Sequence, residues 1–167
     1  MIDETRDNKA VIAVVVPSYK VKRHILEVLA AIGPEIARIY VVDDACPEGS
    51  GDHVRAHCTD PRVTVVALPE NRGVGGATLA GFGAAAGGGG TVIVKLDGDG
   101  QMDPGLVPRI VRPILEGRAD YAKGNRFHEI DELAVMPKVR LFGNAGLSFM
   151  TKLSSGYWDI FDPTNGF

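Results

Sequence analysis

Cysteine is scarce in this sequence, with Cys46 and Cys58 the only two among 167 residues. A framework of several disulfides, as small secreted domains use, is therefore not expected. A chain of this length buries roughly 70% of the surface that its unfolded form exposes, so it needs neither disulfides nor a structural metal to fold. With no secretory signal before the cysteines, we expect a protein of the reducing cytoplasm.

The sequence also lacks a long apolar run and an excess of positive charge. The longest aliphatic run near its start, residues 11–16, is far shorter than the roughly 20 residues that cross a bilayer. The net charge is −3, which argues against a nucleic-acid partner. A composition of 45% apolar and 23% charged residues is typical of one globular domain, here residues 1–167.

Segments rich in β-branched residues alternate along the chain with segments of helical spacing. Strands are predicted at 11–16, 39–42, 63–68, 91–96 and 121–123, and helices from near His24, Asp52, Gly75 and Pro104. The alternation predicts an α/β fold, with a mostly parallel sheet covered by helices on both faces. Such sheets bind ligands beyond the carboxyl ends of their strands, where Pro17, Asp44 and Asp97 lie.

The segment LDGDGQMDP follows the fourth predicted strand and carries Asp97, Asp99 and Gln101 at alternate positions. If the segment is extended, these three side chains project to one side. Clustered carboxylates repel one another unless a cation lies between them. Their oxygens suit Mg²⁺, which also takes phosphate oxygens. A turn that caps the next helix is the alternative for the whole motif, and we expect Asp103 to be that cap.

Asp44 has two interpretations of equal weight, a contact to a nucleobase or ribose and a cap for its own loop. The glycines at 73, 75, 76 and 81 do not have the G-x-G-x-x-G spacing of a dinucleotide site, so a Rossmann dehydrogenase is excluded. We expect these glycines to form a turn and to allow close helix packing. Asn71 and Arg72 near a nucleotide are a weaker hypothesis.

Several segments taken together resemble family 2 glycosyltransferases over about residues 11–167: VVVPSYK, VVDDACPEGSGD, ENRGVGGATLAGF, KLDGDGQMDP, KGNRF and DPTNGF. The acidic motif has the D-x-D-x-Q form found in the dolichol-phosphate mannosyltransferase and bacterial polyprenyl-phosphate sugar transferase branch. The resemblance implies a GT-A fold. It makes residues 10–127 the nucleotide-sugar and metal-binding core, and residues 128–167 the start of an acceptor-side region.

The resemblance also implies a role for individual residues. Pro17 and Tyr19 are implied to form the nucleoside wall, and Asp44 to contact the nucleobase. Asp97, Gly98 and Asp99 are the implied diphosphate and metal segment, with Gln101 as a further metal ligand. Arg126 matches a phosphate-binding arginine and, with Asp99, is the expected catalytic pair. Arg140 is a second phosphate-binding candidate, with a solvated helix charge as the alternative.

The implied activity is that of an inverting hexosyltransferase that uses Mg²⁺ or Mn²⁺ and a UDP- or GDP-sugar. The implied acceptor is a polyprenyl or dolichyl phosphate, in cell-envelope glycan or glycolipid synthesis. Peripheral association with the cytoplasmic face of the membrane is expected, and the oligomeric state stays open. Two alternatives remain: a non-catalytic nucleotide-sugar-binding module, and a transferase acting on a sugar hydroxyl, for which Asp162 is the candidate base.

Two departures from the family pattern leave the nucleobase open. Val21 stands where an acidic residue is usual, and Ala45-Cys46 stands where Gly-Ser or Asn-Ser is usual. We also expect the chain to be incomplete at its C-terminus, because the downstream basic residues and helices of relatives are not in it.

Overall fold

The computed structural model describes residues 10–124 and 138–156, except for the side chains of 138–145 and 155. Contacts divide the chain into two compact units, Met1–Tyr121 and Ala122–Phe167. The first unit contains β1 Ile12–Ser18, α1 Ile25–Ala31, β2 Arg38–Asp43, α2 Ser50–His57, β3 Val63–Ala67, α3 Gly73–Gly87, β4 Val92–Lys95, a 3-10 turn at Pro104–Leu106 and α4 Val107–Leu115. The second unit contains α5 Lys138–Ser155.

The four described strands form one parallel sheet in the order β3-β2-β1-β4. Every residue of β1 is buried, as expected for an inner strand with both faces covered. The predicted α/β fold with a parallel sheet is therefore confirmed in this part of the chain.

β1 extends through Pro17, where the sequence predicts its end. It pairs with β2 as far as Ser18, but with β4 only as far as Val15. At Pro17, β1 is therefore hydrogen-bonded to β2 but not to β4. Proline is tolerated at such a position, where its missing N–H faces away from the paired strand.

Helices cover both faces of the sheet. Val42 faces α3, because a Cβ added at Gly81 would overlap Val15 and Val42. The next residue, Asp43, accepts a hydrogen bond from the backbone N–H of Gly51 in α2 at 3.1 Å. Since successive side chains of a strand point to opposite faces, α2 and α3 lie on opposite sides of the sheet.

The predicted fifth strand at 121–123 is wrong. The described residues 121–124 form no strand, and Tyr121 is 76% exposed, so this short run does not cover a core. Helix α5 was not predicted, because the sequence after Phe127 has no clear helical periodicity. Among its described side chains, Leu147, Phe149, Met150 and Leu153 are exposed. No helix within the described ranges has the length and apolarity to cross a bilayer.

The loop between β2 and α2 is built around the buried carboxylate of Asp43. Its Oδ1 accepts from the N–H of Cys46 at 2.9 Å, and its Oδ2 accepts from Gly51. The Sγ of Cys46 accepts from the N–H of Lys20 at 3.1 Å, which ties this loop to the end of β1. Ala45, inside the loop, has a left-handed φ of +49°.

We predict that Gly81→Ala destabilises the protein by about 1–3 kcal/mol, because the new methyl group overlaps Val15 and Val42 in the core. Gly83→Ala on the same helix is the matched control. Nothing lies within 4 Å of its added Cβ, so it should stabilise by about 0.5–1 kcal/mol. Urea unfolding of both variants measures the two changes, and equal effects would contradict the close packing at Gly81.

A second prediction concerns Ala45, whose left-handed backbone is costly for any residue with a Cβ. Ala45→Gly should raise the free energy of unfolding by about 0.5–1 kcal/mol, the relief of that cost minus the larger chain entropy of glycine. Ala30→Gly, at an exposed position of α1, should instead lower it by about 1 kcal/mol. A thermal melt that shifts both variants downwards would contradict the left-handed turn.

Candidate functional site

A cavity of about 300 Å³ lies at the carboxyl ends of β1, β2 and β4. Seven residues that the sequence placed near the ligand line it together: Pro17, Tyr19, Asp44, Asn71, Asp97, Gly98 and Asp99. Its volume is at the lower end of the range for small-molecule sites. Because parallel strands all end at this edge, side chains far apart in the sequence meet there.

One wall of the cavity comes from the end of β1. Tyr19 is 42% exposed, and the Nζ of Lys20 lies 5.3 Å from the centroid of its ring. Ser18 between Pro17 and Tyr19 also borders the cavity. Its buried hydroxyl has no hydrogen-bond partner among the described residues.

Asp44 is 2% exposed, yet it borders the cavity. Its Oδ1 accepts from the backbone N–H of Arg72 at 2.7 Å, and its carbonyl oxygen accepts from the Asn71 amide at 3.3 Å. Asp44 therefore caps the distant segment at Arg72, whereas its own loop is capped by Asp43. A carboxylate has several acceptor sites, so this contact leaves capacity for a ligand N–H or O–H.

The acidic segment is a turn and not an extended strand, so the expectation of alternating side chains is wrong. Gly100 has a left-handed φ of +80°, and Asp99 Oδ1 accepts from the N–H of Gln101 at 3.0 Å. This local hydrogen bond competes with extended backbone, as short acidic side chains often do. Asp97 and Asp99 still line the cavity, whereas Gln101 is exposed and is not among its lining residues.

Lys95 does not line the cavity, but it pairs with a residue that does, and the sequence analysis missed this contact. Its Nζ lies 2.5 Å from Oδ1 of Asp97, with the two side chains 18% and 30% exposed. The signal was available in the spacing, because residues two apart at the end of a strand point to the same face. A bound metal was the only cation expected from the sequence to neutralise the carboxylates.

The donor set of the segment suits a hard divalent cation better than zinc. Asp97 and Asp99 offer carboxylate oxygens on one cavity, and within 10–124 and 138–156 no group of three or more His, Cys, Asp or Glu side chains is placed to hold a metal. An ion such as Mg²⁺ that keeps several waters and takes phosphate oxygens needs only one or two carboxylates. Two carboxylates on one cavity therefore fit such an ion.

Asp103 takes the capping role that the sequence assigned to it. It precedes the 3-10 turn at Pro104–Leu106 and accepts from the N–H of Gly105 at 2.8 Å. Capping thus accounts for Asp103 and leaves Asp97 and Asp99 for the cavity.

The predicted phosphate-binding and acceptor-side residues are not located by the structure. Arg126 and Asp162 lie outside the described residues, and Arg140 is in α5, where its side chain is not described. Their roles stay predictions.

Comparison with known proteins identifies the family that this chain matches. The model of the family described as Glycosyl transferase family 2 matches residues 13–167. The uncharacterized protein MJ1222 of Methanocaldococcus jannaschii is 38% identical over 160 residues, which cover 95% of this chain and 64% of that protein.

Two further relatives have named activities. The UDP-N-acetylglucosamine–dolichyl-phosphate N-acetylglucosaminyltransferase of Methanococcus voltae is 35% identical over 63% of this chain and 41% of its own length. The dolichol-phosphate mannosyltransferase of Pyrococcus furiosus is 26% identical over 93% of this chain and 45% of its own. The chain therefore spans between about two-fifths and two-thirds of the length of these three relatives.

Among solved structures, residues 1–349 of Staphylococcus aureus TarS in complex with UDP superpose with a TM-score of 0.54. The sequences are 22% identical over 66% of this chain and 33% of that one. At this identity the likeness concerns the fold, and it confirms the expected GT-A architecture. The family match over residues 13–167 shows that this chain belongs to glycosyl transferase family 2.

Proposed function

We propose that this chain forms the donor-binding part of an inverting, metal-dependent hexosyltransferase. The donor is a UDP- or GDP-sugar, and the acceptor is a polyprenyl or dolichyl phosphate. One observation carries the proposal, the cavity in which Asp44 from the end of β2 meets Asp97 and Asp99 from the end of β4. The two relatives named for transfer to a dolichol phosphate support the choice of acceptor.

The nucleoside would lie against the end of β1. Pro17 and Tyr19 supply apolar walls, and the partly exposed Tyr19 ring offers a surface for stacking. Asp44 would accept a hydrogen bond from an N–H of the base or from a ribose hydroxyl. Its contact to Arg72 leaves acceptor sites of the carboxylate free for this bond. The UDP in the TarS complex supports a nucleoside diphosphate as the ligand class.

The diphosphate would lie over the turn after β4. Asp97 and Asp99 would hold Mg²⁺ or Mn²⁺ there, with Gln101 on the same turn as a further ligand after a side-chain movement. The ion would neutralise the charge that builds on the leaving nucleoside diphosphate. Arg126 and Arg140 would bind phosphate oxygens as charged and directional donors. Asp99 and Arg126 are thus the proposed catalytic pair.

A lipid phosphate needs little activation as a nucleophile. Its second pKa is near 6, so it is largely dianionic at neutral pH and requires no strong general base. A phosphate oxygen forms a bond to the anomeric carbon on the face opposite the diphosphate, while the bond to the diphosphate breaks and the nucleoside diphosphate leaves with that electron pair. The anomeric configuration inverts. Such an acceptor would bring the protein to the cytoplasmic face of a membrane, in cell-envelope glycan or glycolipid synthesis.

Calorimetric titration with UDP-glucose, UDP-N-acetylglucosamine and GDP-mannose, each with Mn²⁺ and with chelator, tests the donor site. Asp99→Asn should weaken metal-dependent donor binding by at least about tenfold, since even groups behind a metal ligand are worth that much. Asp103→Asn is the matched control. It makes the same charge change four residues away, at a side chain that caps a turn, and donor affinity should stay near that of the wild type.

Transfer is tested separately, with a radiolabelled donor and a polyprenyl phosphate in detergent. Donor binding without transfer, also in the protein extended at its C-terminus, would favour a non-catalytic nucleotide-sugar-binding module. Transfer to a sugar hydroxyl in place of the lipid phosphate would favour the alternative acceptor, and in that case Asp162→Asn should abolish activity because a hydroxyl needs a base.

A further inference from the structure

The ion pair between Lys95 and Asp97 places a fixed positive charge in the proposed metal site. Lys95 Nζ is 2.5 Å from Asp97 Oδ1, and both side chains are less than one-third exposed. Lys95 is the last residue of β4, so the short strand end holds the ammonium group close to the carboxylate. The carboxylate proposed as a metal ligand therefore already has a cationic partner.

This partner changes the charge that a divalent cation meets. Asp97 and Asp99 carry two negative charges, and Lys95 reduces their sum to one. Shielded from much of the solvent, the pair is screened less than a surface ion pair. A cation that binds Asp97 must either share the carboxylate with the ammonium group or displace it, and like charges at such short range repel strongly.

We propose that Lys95 acts as a built-in counter-ion that competes with the divalent cation for Asp97 and lowers the affinity of the free protein for that cation. The inference rests on the proposed function, because it concerns the same metal site. Its consequence is an order of events. The free protein holds the cation weakly, and the negative oxygens of a nucleoside diphosphate make up for the charge that Lys95 cancels.

The pair also acts on the repulsion between the two carboxylates. Asp97 and Asp99 border one cavity, where unpaired carboxylates would repel each other. Lys95 offsets part of that repulsion and so helps to hold Asp97 in place after the end of β4. The lysine is thus a positioning residue for Asp97 as well as a competitor for it.

The test is the affinity for Mn²⁺ alone, measured by the loss of the free-ion signal in electron paramagnetic resonance. Lys95→Met keeps the length and the apolar stem of the side chain and removes its charge, and it should bind Mn²⁺ about tenfold more tightly than the wild type, the size expected when one close like charge is removed. Lys95→Arg keeps the charge and should bind Mn²⁺ much as the wild type does. The gain in Mn²⁺ affinity should disappear in the double variant that combines Lys95→Met with Asp97→Asn.

Arg55→Met is the matched control for net charge. It also removes one positive charge from an ion pair, here with Asp52 on α2. This helix packs against β2 and β3, and β1 lies between β2 and β4 in the sheet. Mn²⁺ affinity should be unchanged in it. Circular dichroism confirms that each variant is folded before it is titrated.

The outcomes separate this inference from the proposed function. Equal or weaker Mn²⁺ binding by Lys95→Met, while the wild type binds Mn²⁺, overturns the competition and leaves the metal site intact. If the wild type binds Mn²⁺ only with UDP or GDP present, the same comparison is made at that nucleotide concentration. Absence of Mn²⁺ binding to the wild type and to Lys95→Met under all of these conditions overturns both.

Discussion

The parallel pairing of β1 with β2 on one side and β4 on the other is the constraint on which the site depends. β1 is buried along its whole length, so its register against both neighbours is set by core packing and cannot slip without exposing apolar side chains. That register brings Pro17, Asp44 and Asp97 to one edge, although they are far apart in the sequence. The close approach of α3 at Gly81 covers one face of the same strands.

The loops at this edge are held by short-range polar contacts that belong to the fold as much as to the ligand. The carboxylate of Asp43 accepts two backbone hydrogen bonds within its own loop. Its neighbour Asp44 caps the segment at Arg72 and also borders the cavity. The two adjacent acids therefore have different roles because adjacent strand residues face opposite sides of the sheet. Cys46, where the family pattern has serine, accepts a hydrogen bond from the N–H of Lys20, and this bond joins its loop to the end of β1.

Much of the fold was predictable because β-branched runs and helical spacing are local signals. The four strands and the helices from α1 to α4 were predicted within a few residues of their observed bounds, and Asp103 was recognised as a cap. The errors have local causes too. The run at 121–123 was too short to distinguish a strand from an extended loop. The sequence after Phe127 has no clear helical periodicity, so α5 was not predicted. The extended form expected for residues 97–101 gave way to a turn, because Asp99 bonds to the backbone of Gln101.

The sequence by itself determined the parallel α/β class, the family resemblance and the identity of the acids that follow β2 and β4, since these depend on residue type and on spacing along the chain. The tertiary structure decided which of those residues share a cavity. It assigned Asp43 to a loop and Asp44 to the cavity edge, turned Gln101 away from the lining, and set Lys95 against Asp97. These outcomes depend on strand register and on the left-handed turns at Ala45 and Gly100. A shift of register by one residue, or one such turn, changes the face to which a side chain points, and spacing along the chain does not specify either.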